Sequence, residues 1–467
     1  DEWLNGKYQE SYNNWFEQNL GLRSYFVRSY NQILFTLFNK GDQNRYDPIV
    51  IGNEGQLFEK SYINEYFIDE PLDFAKIEDT VKKVKELQEL LAQSNVNLFI
   101  NICPSKAAIY PEFVPNKYKQ MEIKKRRDYD NFILLANKHG INYVDGHSVM
   151  LQKKEEIEHP LFPRGGIHWN ELGAFYSAKE IINKMEKVSG KGLTDIYYEE
   201  PVIYTHPTGS DRDLADLLNV WYPPTDYKVP NITIKNEAKP DQFKPNVLFI
   251  GDSFNWLLLD IFNQNNIFSG LNFYYYFNKD IEYPSRKEMI LNLNDFDWEQ
   301  DVLSRDFIVL SMTERSITGI GNGFIEEALL YFKFKNDKSD TLNDIAYKAE
   351  IAIDIEDEII YAKPNSQLKL IARIKNISNT SWPSSEPINL GNHWLDLDAK
   401  VLVNDDVRSE ISKSLMPGME IEVPITVNIP EFSGQYILEL DMVHEGVTWF
   451  KSHGSTTVQI PVVVSDT

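Results

Sequence analysis

The chain reads as an α/β fold, a parallel sheet flanked by helices, followed by a separate all-β sandwich. Three observations carry that reading. Amphipathic helical stretches alternate with short apolar strands through the first part of the chain. The apolar run Val247 to Ile250 passes straight into Gly251-Asp252-Ser253-Phe254 and an amphipathic stretch, Asn255 to Phe262, which is the pattern of strand, tight turn and helix. Beyond residue 345 the helical period gives way to short alternating segments.

In chain order, residues 1–45 predict helices. Trp15, Phe16, Leu20, Leu22, Tyr25, Phe26, Tyr30, Ile33, Leu34 and Leu37 return at three- and four-residue steps, and Gly21 divides the run. Ile49 to Phe58 reads as a hairpin around Gly52-Asn53-Glu54-Gly55. The lysine- and glutamate-rich helix Ile77 to Gln93 leads into the strand Asn97 to Ile102, which Pro104-Ser105-Lys106 ends. A second pair follows, a helix from about Arg127 to Lys138 and a strand over 140–145. Such alternation implies a parallel sheet, and sites in such sheets lie at the carboxyl ends of the strands. Lys106, Asp145 and Ser253 all fall there. Residues 188–245, rich in Pro, Asp and Tyr, form an irregular excursion with one short helix, Asp211 to Asn219. A last strand, Phe307 to Leu310, precedes Glu314-Arg315, and the helix Gly323 to Phe334 closes this part.

Residues 1–344 therefore form one expected domain and 345–467 a second, divided by the polar stretch Lys335 to Asp344. Glu350 to Ile355, Gln367 to Ile374, Leu397 to Val403, Ile421 to Ile429, Tyr436 to Met442 and Thr456 to Val464 supply its strands. That many strands in about 120 residues, separated by turns such as Pro417-Gly418 and Ser433-Gly434, is a sandwich signature.

Bulk properties exclude several functions. At 467 residues the chain exceeds one ordinary core. The net charge of -23 argues against nucleic acid, whose binding depends on neutralising phosphates with Lys and Arg. The single cysteine, Cys103, excludes an intrachain disulfide and a cysteine-based zinc site, and no histidine has metal-ligand spacing. No cofactor is expected. No run reaches the roughly 20 apolar residues of a membrane span. The chain opens at Asp1 rather than Met, which points to an upstream signal or anchor.

Ser253, just after a buried strand and at a helix N-terminus, sits at the sheet rim where N–H groups stabilise an oxyanion. The same residues also suit an ordinary βα turn, with Asp252 or Ser253 capping the helix. A nucleophilic serine needs a base. Among the histidines His168 stands out, on a loop after Gly165-Gly166 and just ahead of a helix beginning near Asn170. Its alternative role is capping or packing beside Trp169.

The ordered set of segments resembles the AlgX/AlgJ-type branch of the SGNH hydrolase superfamily, the extracytoplasmic polysaccharide O-acetyltransferases. The matching pieces are Gly21-Leu22-Arg23-Ser24, Ile51 to Phe58, Pro104-Ser105-Lys106 with Ile109-Tyr110-Pro111, His168-Trp169-Asn170 through Gly173, Gly251-Asp252-Ser253-Phe254, and Glu314-Arg315. The resemblance implies a Ser-His-Asp triad with Ser253 as nucleophile and His168 as base. It places the acid two or three residues before the histidine, where this chain has Gly166 and Gly165. The site is then a dyad, a decayed site, or a triad completed from elsewhere, with Asp145 and Glu314 as replacement candidates. Asp252, Lys106, Arg315 and Asn170 are candidates for oxyanion stabilisation or substrate positioning.

The C-terminal part resembles the Ig-like sandwiches appended to bacterial polysaccharide-assembly proteins. Asn376 with Trp382-Pro383, Leu390 to Trp394, Leu415 to Gly418, Gly434-Gln435-Tyr436 and Asp441 to Phe450 carry the likeness. It implies a carbohydrate-binding module with Trp382, Trp394 and Trp449 as sugar-stacking candidates, core packing being the competing role. The function implied is acetyl transfer to a polysaccharide acceptor outside the cytoplasm, with a membrane-bound acyltransferase supplying the acetyl group. The rivals are an O-acetyl esterase of the same fold and a non-catalytic glycan-binding scaffold that has lost its acid.

Overall fold

The computed structural model describes residues 21–41, 47–67, 74–119, 127–238, 242–292, 296–336, 346–355, 359–383, 386–404, 406–411 and 413–465, with isolated positions before residue 21. The second half of the N-terminal helical pattern is the helix Arg23–Phe38, whereas Phe16, Leu20 and residues 337–345, where the sequence puts its domain boundary, lie outside the described residues. The chain divides into two compact units, residues 1–291 with 302–325, and residues 292–301 with 326–467. The segment 292–301 belongs with the second unit through Trp298, which stacks on Tyr331 at 5.2 Å, and Glu299, which accepts hydrogen bonds from Tyr331 and Lys335.

The first unit is built on a seven-stranded sheet in the order Lys287–Ile290, Lys279–Tyr283, Gly270–Tyr275, Asn246–Gly251, Phe307–Thr313, Asn97–Cys103, Tyr143–Asp145. The strands from Gly270–Tyr275 to Tyr143–Asp145 run parallel, and the other two continue the sheet as an antiparallel meander. Phe307–Thr313 is buried at every position, as a strand covered on both faces must be. Helix Phe74–Gln93 buries Ile77, Val81, Val84, Leu87 and Leu91 on one stripe and carries Glu78–Lys82 and Asp79–Lys83 pairs outside. Helix Asp128–His139 stops at Gly140, whose φ of 67° closes the last turn. Phe99, Phe249, Val309, Leu258 and Phe262 lie in the core beneath. The three strands between 270 and 290 are short, and Tyr276, Phe277 and Asn278 turn the first into the second.

In the second unit, one sheet pairs Ala349–Ile353, Gln367–Asn376 and Glu420–Asn428. The other runs Ile360–Ala362, Val458–Val464, Gly434–His444, Ile388–Leu395, Val401–Val403. Ile374, Val423 and Ile425 from the first meet Leu390, Trp394, Leu440 and Ile460 from the second in one apolar core. Ile388–Leu395 is a strand the sequence pattern conceals. Nearly every position on it is buried, so no polar alternation survives, and Asn389, Gly391 and Asn392 mimic turn residues.

Candidate active site

The strand Asn246–Gly251 is the centre of the seven, and Ser253 sits in the turn between it and helix Asn255–Gln264. Gly251 is required by crowding, because a Cβ there would lie 1.8 Å from the Ser311 carbonyl oxygen. Asp252 is buried and turned into the sheet. Its Oδ2 accepts from Thr313 N at 2.8 Å and its Oδ1 from Phe254 N at 3.1 Å. Burial pushes this carboxyl above its ordinary range while those two N–H groups pull it back. Asp252 therefore fixes the turn and ties it to the neighbouring strand, leaving Ser253 half-exposed at the rim.

His168 comes from the loop ahead of helix Glu171–Ser189. Its ring rests on Phe254, centroids 4.8 Å apart, and Nε2 lies 2.9 Å from Ser253 Oγ. The loop is held from below by Lys106, whose Nζ donates to the carbonyls of Leu57, Pro163, Arg164 and Gly166 at 2.6–3.1 Å. Burial lowers this ammonium to about 7, with Asp213 acting in the opposite direction and Arg164 adding to the fall. Lys106 thus clamps the histidine loop instead of facing a substrate.

On the other side of the ring, His168 Nδ1 lies 2.6 Å from Asp213 Oδ2. An ionised carboxylate has no proton to give, so Nδ1 carries the hydrogen and Nε2 accepts from the serine hydroxyl. Asp213 Oδ1 accepts from the N–H groups of Ile167 at 2.9 Å and Leu214 at 2.7 Å, so the acid is fixed both to its own helix, Asp213–Leu217, and to the histidine loop. The two glycines where an acid was expected make this approach possible. A Cβ on Gly166 would lie 2.4 Å from the Ser210 carbonyl oxygen, and one on Gly165 2.4 Å from the Tyr227 hydroxyl and 3.2 Å from Ala215 Cβ. Ala215 N also donates to Gly165 O at 3.0 Å. The missing acid and the arrival of its replacement are one packing event.

Neither replacement acid proposed from sequence reaches His168. Asp145 caps its own helix through Ser148 and accepts from the Tyr129 hydroxyl at 2.8 Å. Glu314 is fully buried with His147 Nδ1 at 2.8 Å, Arg127 at 3.4 Å and Ser105 N at 2.8 Å. Burial raises that carboxyl, but His147, Arg127 and the Ser105 N–H together hold it below its ordinary value. Both acids lie at strand ends as expected, but each is consumed by local partners. Asn170 is also structural. Its side chain accepts from Gly173 N at 3.0 Å, capping the helix, and donates to Pro160 O at 2.6 Å. Arg315 is exposed, with its guanidinium 5.3 Å from the Tyr62 ring centroid.

In the second unit, Trp382 and Trp394 are each 1% exposed and belong to the sandwich core, so neither ring offers a face to a sugar. Trp382 Nε1 donates to Ala346 O at 2.8 Å. Trp449 is half-buried, with Arg408 4.4 Å above its ring and His393 4.0 Å away.

Two residues at the site escape a reading of the sequence. Asp213 lies in the Asp211-Arg212-Asp213 stretch of an excursion without a period, and its signal was indirect, two glycines where an acid belongs and an acid-rich short helix downstream. Tyr276, whose hydroxyl interacts with that of Ser253, lies in the unread turn after Gly270–Tyr275.

Residues 49–268 match the family model of the SGNH hydrolase-like domain of acetyltransferase AlgX. A curated relative from Pseudomonas aeruginosa, "Probable alginate O-acetylase AlgJ", is 27% identical over 171 residues, 37% of this chain and 40% of the relative. The protein of the same description from Azotobacter vinelandii is 25% identical over 217 residues, 46% of this chain and 52% of the relative. The chain thus spans about half the length of these curated relatives or less. Among solved structures, the O-acetyltransferase domain of Pseudomonas putida AlgJ is 16% identical, with a TM-score of 0.39, covering 60% of this chain and 98% of that one.

Proposed function

We propose, for a chain whose residues 49–268 form an AlgX/AlgJ-like SGNH domain, an O-acetyltransferase that modifies hydroxyls of an extracellular or cell-surface polysaccharide through an acyl-serine. The observation that carries this reading is the line of Asp213, His168 and Ser253, with contacts of 2.6 and 2.9 Å, at the carboxyl end of the central strand.

Chemistry follows from that line. Ser253 Oγ bonds to the acetyl carbonyl carbon as its proton passes to His168 Nε2, and the carbonyl π pair moves onto oxygen. Collapse re-forms the C=O and breaks the bond to the donor's leaving group, which takes the proton from Nε2. A sugar hydroxyl then attacks the acyl carbon, giving its proton to Nε2, and Ser253 Oγ departs and is reprotonated. Asp213 holds the imidazole in the required tautomer and stabilises its transient positive charge. The supply of acetyl groups by a membrane-bound acyltransferase and an extracytoplasmic location belong to this reading. Among the described residues no helix is long and apolar enough to cross a membrane. Of the three candidate tryptophans, Trp449 alone is outside the buried core, and glycan contact there would share the ring with Arg408 and His393.

The same residues serve an esterase, in which water replaces the sugar. Incubation with p-nitrophenyl acetate, with and without oligosaccharide acceptor, separates the two. Acetylated oligosaccharide is expected, lost in Ser253→Ala; free acetate alone at saturating glycan would overturn the transferase reading.

A further inference from the structure

An acyl transfer site needs at least two donors aimed at the developing oxyanion, and the turn that carries Ser253 supplies few. Phe254 N is bonded to Asp252 Oδ1, Asn255 N to Asp252 O at 3.2 Å, and Trp256 N to Ser253 O at 3.4 Å. The Asn255 side chain donates to Asp252 O and Ser311 O, at 3.0 and 2.8 Å. Asn170 is committed to capping and to Pro160. Among the described residues this leaves the Ser253 N–H as the one backbone donor of the turn without an acceptor.

Across the serine stands Tyr276. It is brought there by an unusual turn, in which Tyr276 and Phe277 hold consecutive φ values of 49° and 51°, a left-handed conformation that side chains other than glycine, asparagine and aspartate rarely adopt. Tyr276 N donates to Gly251 O at 2.8 Å, pinning the turn to the end of the strand that bears Ser253. Buried Phe277 packs on Phe324, centroids 5.4 Å apart, and anchors the other side. Tyr275 packs between Tyr276 at 4.5 Å and Trp256 at 5.2 Å, each ring tilted to it by about 50°. The phenol of Tyr276 interacts with the Ser253 hydroxyl and remains 41% exposed, so it faces both nucleophile and solvent.

We infer that the Tyr276 hydroxyl is the second oxyanion donor, acting with the Ser253 N–H on the carbonyl oxygen of the acetyl group. It donates a hydrogen bond and keeps its proton throughout. Burial and the negative charge of Asp252 push the phenol up to about 12, so it stays protonated across the neutral range, although its contact with Ser253 acts in the opposite direction. The inference rests on the acyl-serine reading above.

The test is stopped-flow acylation by p-nitrophenyl acetate in the whole chain, comparing wild type, Tyr276→Phe and Ser253→Ala. The phenylalanine variant keeps the ring and its packing. Its acylation rate should fall about 100-fold, the scale for loss of one oxyanion donor, with apparent substrate affinity and thermal midpoint unchanged. Acylation within about twofold of wild type, or a change confined to KM, would overturn the role of Tyr276 while leaving the triad standing if Ser253→Ala is inactive. A wild-type chain that forms no acyl-serine would overturn both.

Discussion

Asp213 reaches His168 because Gly166 has no side chain. The carboxylate sits 2.6 Å from Nδ1 only while residues 208–218 lie against the histidine loop, where a Cβ at 166 would stand 2.4 Å from the Ser210 carbonyl oxygen and 2.7 Å from Pro163 Cγ. Gly166→Ala should therefore destabilise the first unit by about 1–3 kcal/mol, the usual range for overpacking, and lower ester turnover more than its stability loss explains. Urea denaturation and p-nitrophenyl acetate turnover of the same preparation check it. Restoring an acid by Gly166→Asp should not rescue Asp213→Ala, since the new side chain displaces the segment instead of orienting the imidazole.

Asp213→Asn keeps the shape of the acid but presents an amide that cannot stabilise the imidazolium. Turnover should fall by about 10³–10⁴, with a residue of activity from the nucleophile and oxyanion donors. A circular-dichroism spectrum matching wild type beside that loss is the expected result. Retention of full activity would show that Asp213 is not the orienting acid.

Lys106 shares the three N–H groups of its ammonium among four carbonyl oxygens. Lys106→Met would remove this donor, the Arg164 and Pro163 carbonyls keeping only the N–H groups of Leu57 and Gly166, at a cost of about 2–4 kcal/mol. Because three of the carbonyls belong to Pro163, Arg164 and Gly166, the variant should also lose turnover through misplacement of His168. The expected pattern is a lowered urea midpoint together with reduced kcat.

Asp211 gives the pH dependence a definite sign. Burial first, then the charges of Glu171 and Asp213, raise its carboxyl from 3.8 to about 7 in the folded chain. Below 3.8 folded and unfolded forms both hold the proton and the contribution to stability is whole; between 3.8 and about 7 only the folded form keeps it. Stability is therefore lost as pH rises through that window. Asp211→Asn should flatten this part of the curve, matching wild type near its acid end and exceeding it above neutrality. Thermal midpoints measured across the window check it, and parallel curves would contradict it.

The fold class was legible because helices such as Phe74–Gln93 keep a clean apolar stripe and the central strands are uninterrupted apolar runs. Ser253 and His168 were legible because each sits where a strand or a glycine loop meets a helix, a local signal. Their orienting acid was not. Asp213 lies 45 residues from His168, in a segment whose position is set by packing against Gly165 and Gly166, and no periodicity encodes such a contact. Asp145 and Glu314 were plausible by the strand-end rule but are spent on Tyr129, Ser148, His147 and Arg127. Trp382 and Trp394 illustrate the same limit, since an aromatic in a sandwich strand reads alike whether it faces the core or a ligand.

The most direct test of the central claim is peptide mapping by mass spectrometry after brief exposure to an activated acetate ester. Wild type should carry a single acetyl group on Ser253. Asp213→Asn should acquire it far more slowly, and Ser253→Ala not at all. An acetyl group that appears on Ser253→Ala at the wild-type rate, or none on wild-type Ser253, would contradict the account.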